Sequence, residues 1–243
     1  MGYLLIVGAK SDIARALAHT YAKAGYDLYL AARNIESLES VVNDLIIRYQ
    51  VNIIPLELDI LDYYSHEKFY SSIEVKPAGV IFVVGYLGDP QKAETDFEEA
   101  LKIMATNYVG CVSLLNIIAN DFAARKNGFI VGISSVAGMR GRQSNYIYGS
   151  AKGAFAIYLS GLRNRLMDSN VHVLTIIPGF VRTKMTAGLN LPARLTADPW
   201  ETAQDIFRAQ QKKKDVVYTK WFWRWIMWII IHLPEKIFKK MKL

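Results

Sequence analysis

Cysteine is all but missing from this chain. Cys111 stands alone, so no disulfide can form within it, which excludes the stapled scaffolds of small secreted domains. It lies in Asn107-Tyr-Val-Gly-Cys-Val-Ser-Leu-Leu115, where a small buried thiol on a packed helix face is expected. Histidine is scarce too: His19, His66, His172 and His232 are scattered, without ligand spacing, so no metal site is expected. The N-terminus, Met1–Gly8, runs straight into a strand and its turn, so no signal peptide is expected. The tail has one long apolar run, Trp221–Leu233, thirteen residues with one charge before Pro234 interrupts it. That is short of the about 20 apolar residues a spanning helix needs. Internal repeats, low-complexity tracts and a second domain are also absent.

The charge that is present is unevenly placed. The chain carries +7 overall. Residues 1–211 hold 20 Lys/Arg and 20 Asp/Glu, whereas residues 212–243 hold nine against two, so the last 32 residues carry the whole excess. Four of the five tryptophans, Trp221, Trp223, Trp225 and Trp228, sit there as well. The chain therefore divides into a neutral body, residues 1–220, and a basic aromatic segment, residues 221–243. With 243 residues and 52% apolar content, the body can bury a full core as one domain.

Apolar strands alternate with helical patterns along the body. Strands are expected at Tyr3–Val7, Asp27–Ala32, Val51–Leu58, Val80–Val84, Gly128–Ser134, Val171–Ile177 and Asp215–Thr219. Helices are expected at Ile13–Ala24, Ile35–Tyr49, Tyr63–Ser72, Thr95–Asn120 as one long element, Tyr146–Met167 and Pro199–Gln211. That alternation predicts an α/β fold with a parallel sheet covered on both faces. Ligands in such sheets bind beyond the carboxyl ends of the strands. Gly8, Asp59, Gly85, Ser135 and Pro178 all fall at those ends.

The chemistry is concentrated in Tyr148-x-x-x-Lys152, with Ser135 thirteen residues earlier. Residues four apart on a helix share a face. A cation beside a phenol favours the phenolate and lowers a pKa near 10. A serine hydroxyl at a strand end can bond the same substrate oxygen, which equips the site to move a proton while a hydride moves at carbon. Upstream, Gly8-Ala-Lys10-Ser11-Asp12-Ile13-Ala14 joins the first strand to the first helix. Such a turn aims backbone N–H groups at a diphosphate, or is simply a turn capped by Ser11 or Asp12. Arg33 closes the second strand, where a cation accommodates a ribose 2′-phosphate or is a solvated surface arginine. Lys10 can assist it. Asp59 and Ile60 follow the third strand, where Asp59 accepts from an adenine amino group or caps a turn.

With these residues in place, residues 1–220 resemble the short-chain dehydrogenase/reductase family. The matching pieces are the Gly8 turn, Asp59, Val84-Gly85, Asn107, Ser135, Tyr148-x-x-x-Lys152 and Pro178-Gly-Phe-Val-Arg-Thr183. The resemblance implies a doubly wound Rossmann fold of seven parallel strands and NAD(P)-dependent redox chemistry. It implies that Tyr148 is the general acid/base and that Lys152 lowers its pKa and holds the nicotinamide ribose. Ser135 would polarise the carbonyl and Asn107 would position a water in the proton relay. Pro178, Gly179, Val181 and Thr183 would meet the nicotinamide end. Arg33 favours NADP(H) over NAD(H). Two departures stand out: Asp12 and Ala14 replace glycines of the first loop, and Phe82-Val-Val-Gly85 replaces Asn-Asn-Ala-Gly.

Val84-Gly-Tyr-Leu-Gly-Asp89, Ser144-Asn-Tyr-Ile-Tyr-Gly-Ser150 and the basic aromatic C-terminus resemble a narrower group, the keto-sugar reductase partners of decaprenylphosphoryl-ribose epimerase. That resemblance implies a lipid-linked keto-sugar substrate, a partner oxidase, and an NADH preference that Arg33 contradicts. The tail reads as a monotopic anchor on an anionic leaflet, placing the protein in the cytoplasm at the inner membrane face. Its alternative is an arm packed over a neighbouring subunit of a homodimer or homotetramer. Nucleic acid is not an expected partner, since the tail lysines alternate with large aliphatics and no base-reading module is evident. Two other functions stay open: a soluble reductase of small ketones or acyl thioesters, and a non-catalytic nucleotide-binding scaffold on the same fold.

Overall fold

The computed structural model describes residues 2–241; Lys242 and Leu243, the end of the expected basic tail, lie outside the described residues. The strands are β1 (Tyr3–Val7), β2 (Asp27–Ala32), β3 (Ile53–Glu57), β4 (Gly79–Phe82), β5 (Gly128–Ile133), β6 (Val171–Pro178), the short β7 (Phe180–Val181) and β8 (Thr196–Ala197), and β9 (Val216–Thr219). The helices are α1 (Asp12–Lys23), α2 (Glu39–Tyr49), α3 (His66–Ser71), α4 (Pro90–Thr95), α5 (Phe97–Met104), α6 (Gly110–Arg125), α7 (Tyr146–Leu166), α8 (Pro199–Gln211), α9 (Trp223–His232) and α10 (Glu235–Phe238).

Seven strands form one sheet in the order β3-β2-β1-β4-β5-β6-β9, all paired in parallel. β7 and β8 pair separately. The strands are apolar on both faces because both faces are covered. In β1, Leu4 and Ile6 join a core with α1, α2 and α8, while Leu5 and Val7 join one with α3, α6 and α7. The chain runs from β1 outward to β3, then crosses back to β4 on the other side of β1. That reversal opens a crevice above the ends of β1 and β4.

The helix expected over Thr95–Asn120 is broken into parts. Asp89 caps α4, Asp96 caps α5, and a π-helical turn over Ala105–Val109 separates α5 from α6. An extra residue in the turn is a common device at functional sites, and here it carries Asn107. Together Phe97–Arg125 is the one stretch among the described residues long and apolar enough to cross a membrane. Its Leu114, Leu115, Ile118 and Phe122 are wholly buried in the core.

The C-terminal segment packs onto its own domain. Trp223 and Met227 of α9 are buried against Val136 and Ile177. The Trp223 indole lies where a Cβ on Gly179 would stand, and its Nε1 donates to the Leu195 carbonyl at 3.1 Å. Arg140 holds the end of α9, donating to the carbonyls of Ile230, Ile231 and Leu233 and to Glu235, and stacking 3.8 Å from the centroid of Phe238. The opposite side of α9 is exposed and apolar: Trp225 is 58% exposed, Trp228 57% and Ile229 56%.

Candidate active site

The floor of the crevice is set by Gly8. Its φ of +87° is costly for any residue with a side chain, and an added Cβ would come within 3.0 Å of the Val83 backbone. Glycine therefore lets β1 turn close beneath β4. Ser11 caps α1, accepting from Ala14 N at 3.0 Å. Among the described residues, no partner takes the backbone N–H of Lys10, Asp12 or Ile13. These three residues line the crevice at a helix N-terminus, the arrangement that receives a diphosphate. The residues present therefore fit a dinucleotide, despite the missing glycines.

Asp12 does not compete with such an anion as a loose charge. Its Oδ2 accepts from Lys184 N at 2.7 Å, so the carboxylate turns sideways and ties α1 to the segment after β7. Helix capping belongs to Ser11 rather than Asp12. Arg33 is exposed beyond β2 and has no partner among the described residues, and Lys10 likewise. Asp59 spends Oδ1 on Leu61 N at 3.0 Å, so it is a turn residue with one oxygen left for a ligand.

At the other end, α7 lies directly on the Val136–Gly138 turn. A Cβ on Gly153 would stand 2.7 Å from Gly138 O, and one on Gly138 would stand 2.5 Å from Gly153 N. This backbone-to-backbone contact, fastened by the Ser134 hydroxyl donating to Lys152 O at 2.7 Å, sets Tyr148 and Lys152 beside Ser135. Ser135 Oγ accepts from Ala137 N at 3.1 Å, which leaves its own proton to donate. Burial pushes the Tyr148 phenol up to about 12, with the Ser135 hydroxyl acting against it. Lys152, buried, is pushed down to about 8 by desolvation. Its Nζ donates to Val84 O at 2.9 Å and Ile133 O at 3.1 Å and lies 6.0 Å from the Tyr148 ring centroid. The expected lowering of the Tyr148 pKa by Lys152 is therefore not what the chain alone displays: burial dominates, and the cation's nearest partners are carbonyls.

Asn107 is wholly buried. Its Oδ1 accepts from Tyr86 N at 3.2 Å, and its Nδ2 donates to Tyr86 O at 2.6 Å and Ile103 O at 2.8 Å. The side chain is thus consumed in clamping the loop after β4, the loop that also carries Val84 and Gly85.

One cavity of about 830 Å³ joins the two ends. Every residue selected from the sequence lines it except Asn107, which stands behind the wall. Sequence reasoning missed Tyr86, Arg142, Asn145 and Met185, which also line it. Arg142 and Asn145 fall between Ser135 and Tyr148, and that position was the available signal. Composition sets the apolar tail apart from the body, yet Met227 touches Arg142 at 3.4 Å.

The comparisons agree with this geometry. The short chain dehydrogenase family model matches residues 3–193. An uncharacterized oxidoreductase of Mycobacterium tuberculosis is 36% identical over 241 residues, covering 98% of this chain and 96% of that one. An NADP-dependent 3-hydroxy acid dehydrogenase of Schizosaccharomyces pombe is 28% identical over 188 residues, covering 75% and 73%. Among solved structures, a short-chain dehydrogenase from Sphingobium yanoikuyae in complex with NADPH superposes with a TM-score of 0.83 at 20% identity, covering 97% of each chain. The chain belongs to the short-chain dehydrogenase/reductase family of NAD(P)-dependent oxidoreductases.

Proposed function

We propose that this protein reduces the ketone of a sugar or lipid-linked sugar with NADPH. The observation that carries the reading is the single cavity that joins unpaired N–H groups at the α1 N-terminus to Ser135, Tyr148 and Lys152. A bound nicotinamide supplies the hydride. Tyr148, held protonated at neutral pH by burial, gives its proton to the carbonyl oxygen. Ser135 donates its proton to the same oxygen, while one lone pair of its Oγ accepts from Ala137 N–H. Lys152 has a third N–H beyond its two carbonyl bonds, suited to a ribose hydroxyl. Asn107 acts through the loop it clamps.

Arg33 and Lys10, both exposed and unpartnered at the far end, support NADPH over NADH. The outward tryptophans of α9 and the lysines after it support attachment to an anionic membrane surface from the cytoplasmic side. They also allow contact with a second copy in a homodimer or homotetramer. A partner oxidase that makes the ketone completes an epimerisation in this reading. The buried half of α9 favours a second reading of the tail, as part of the fold of a reductase of small ketones.

The test is turnover of NADPH with free and prenyl-phosphate-linked keto-sugars by wild type and Tyr148→Phe. The variant keeps the ring and loses one hydroxyl, and should lose about 10²–10⁴-fold in kcat with NADPH affinity retained. A phenylalanine variant within a few-fold of wild type removes Tyr148 from the chemistry.

A further inference from the structure

We propose that Asp12 is a positioning residue: its carboxylate latches residues 184–195 across the crevice and so sets how fast a bound dinucleotide leaves. The proposal rests on the NAD(P) chemistry of the family and is independent of which ketone is reduced. Met185, in that segment, reaches over the crevice to the loop after β4. A Cβ on Gly85 would stand 3.2 Å from Met185 Cε and 3.9 Å from Lys152 Nζ. A dinucleotide running from the α1 N-terminus to Lys152 therefore lies under this segment and leaves past it.

The segment has few fastenings. Lys184, Thr186, Leu189, Asn190 and Leu191 line the main cavity and also a second one of about 700 Å³, so this stretch is a thin wall with open space on two sides. Among the described residues, and leaving aside bonds within the segment and to its own flanks, two hydrogen bonds tie it to the body. At the far end Leu195 O accepts from the Trp223 indole at 3.1 Å. At the near end Lys184 N donates to Asp12 Oδ2 at 2.7 Å. A strap held at two points swings free when either gives way.

Asp12 stands in the turn that receives the diphosphate, where a carboxylate opposes an incoming anion. Capping of α1 belongs to Ser11, whose Oγ accepts from Ala14 N, so the Asp12 side chain is free for another role. A backbone N–H held by an ionised carboxylate is among the stronger hydrogen bonds. Asp12 therefore acts on a bound dinucleotide in two opposed ways: its charge repels the diphosphate and speeds release, while its bond to Lys184 N holds the strap and slows release. Losing the charge and losing the bond have opposite consequences, and different substitutions separate them.

NADPH release is measured by stopped-flow fluorescence on the full chain, loaded with NADPH and mixed with excess NADP⁺. Asp12→Ala should release NADPH at least about tenfold faster than wild type, although it removes a charge that repels the diphosphate. Asp12→Asn loses the same charge but keeps an acceptor oxygen, and should restore most of the slow release. Lys184→Pro removes the donor instead. Lys184 opens the single turn Lys184–Thr186, and Thr183 before it is extended at φ −135° and ψ 169°, so a proline fits there. It should match Asp12→Ala, and the double variant should release no faster than either single one. Slower or equal release by Asp12→Ala overturns the latch. Asp12→Asn releasing as fast as Asp12→Ala also overturns it, because the effect then belongs to the charge at the α1 N-terminus. Additive effects in the double variant overturn it too. If Asp12→Ala fails to fold, Lys184→Pro carries the test from the other side, and release at the wild-type rate overturns the latch.

Discussion

Trp223 and Trp225 are two residues apart in the same aromatic run, and the structure predicts opposite outcomes for their truncation. Trp223 is 3% exposed. It packs edge-on to Phe180 with centroids 5.2 Å apart, lies against Gly179, and donates to Leu195 O. Deleting a buried tryptophan side chain typically costs about 3–5 kcal/mol, and the lost hydrogen bond leaves a carbonyl without its donor. At about 2–4 °C per kcal/mol for a chain of this size, Trp223→Ala should lower the melting temperature by roughly 6–20 °C. Because Gly179 and Phe180 line the cavity, NADPH affinity should fall with it. Trp225 is 58% exposed, and Trp225→Ala should stay within about 0.5 kcal/mol of wild type. Thermal unfolding by circular dichroism, with NADPH titration of each variant, measures both. A Trp223→Ala protein within 1 °C of wild type, or equal losses at both positions, would refute the packing of α9 on the domain.

Lys152→Met should change the pH dependence of stability. The folded-state pKa of Lys152, about 8, lies below its ordinary 10.5, so the unfolded chain holds the proton more tightly. Lys152 therefore costs stability below pH 8, by about 3 kcal/mol, and that cost fades as pH rises from 8 towards 10.5. Urea unfolding from pH 7 to 10 should show wild type gaining relative to Lys152→Met; parallel curves contradict the burial argument. Arg33→Asp should shift cofactor preference toward NADH by about tenfold or more, since a bond to a charged phosphate is worth about 1.5–3 kcal/mol; steady-state kinetics with both cofactors decides it. Replacing Trp225 and Trp228 together by Ser should weaken sedimentation with anionic vesicles at high salt, where the lysines are screened, without lowering the melting temperature. Undiminished binding removes the outward face of α9 as the contact.

The sequence by itself determined the parallel α/β sheet, since uniformly apolar strands alternating with amphipathic helices have few other ways to bury both faces. It also marked the residues that line one crevice at the strand ends, through Gly8, Asp59, Gly85, Ser135 and Pro178, and the spacing of Ser135, Tyr148 and Lys152. What it left undecided depended on distance through space. The sequence offers Asp12 as a possible helix cap, and only the fold shows that its carboxylate accepts from Lys184 N, 172 positions away. Asn107 sits in a π-turn that no periodicity marks, and its bonds to Tyr86 cross 21 positions. Periodicity reports a repeating face, so it cannot register a single extra residue. The tail shows the limit most plainly: composition grouped four tryptophans into one apolar run, and only the tertiary structure divided them. Trp223 and Met227 point inward because Gly179 leaves room for an indole and Arg140 ties down the carbonyls at the end of α9. Trp225 and Trp228 face outward because, in a helix anchored at those two places, nothing on the domain remains for them to meet.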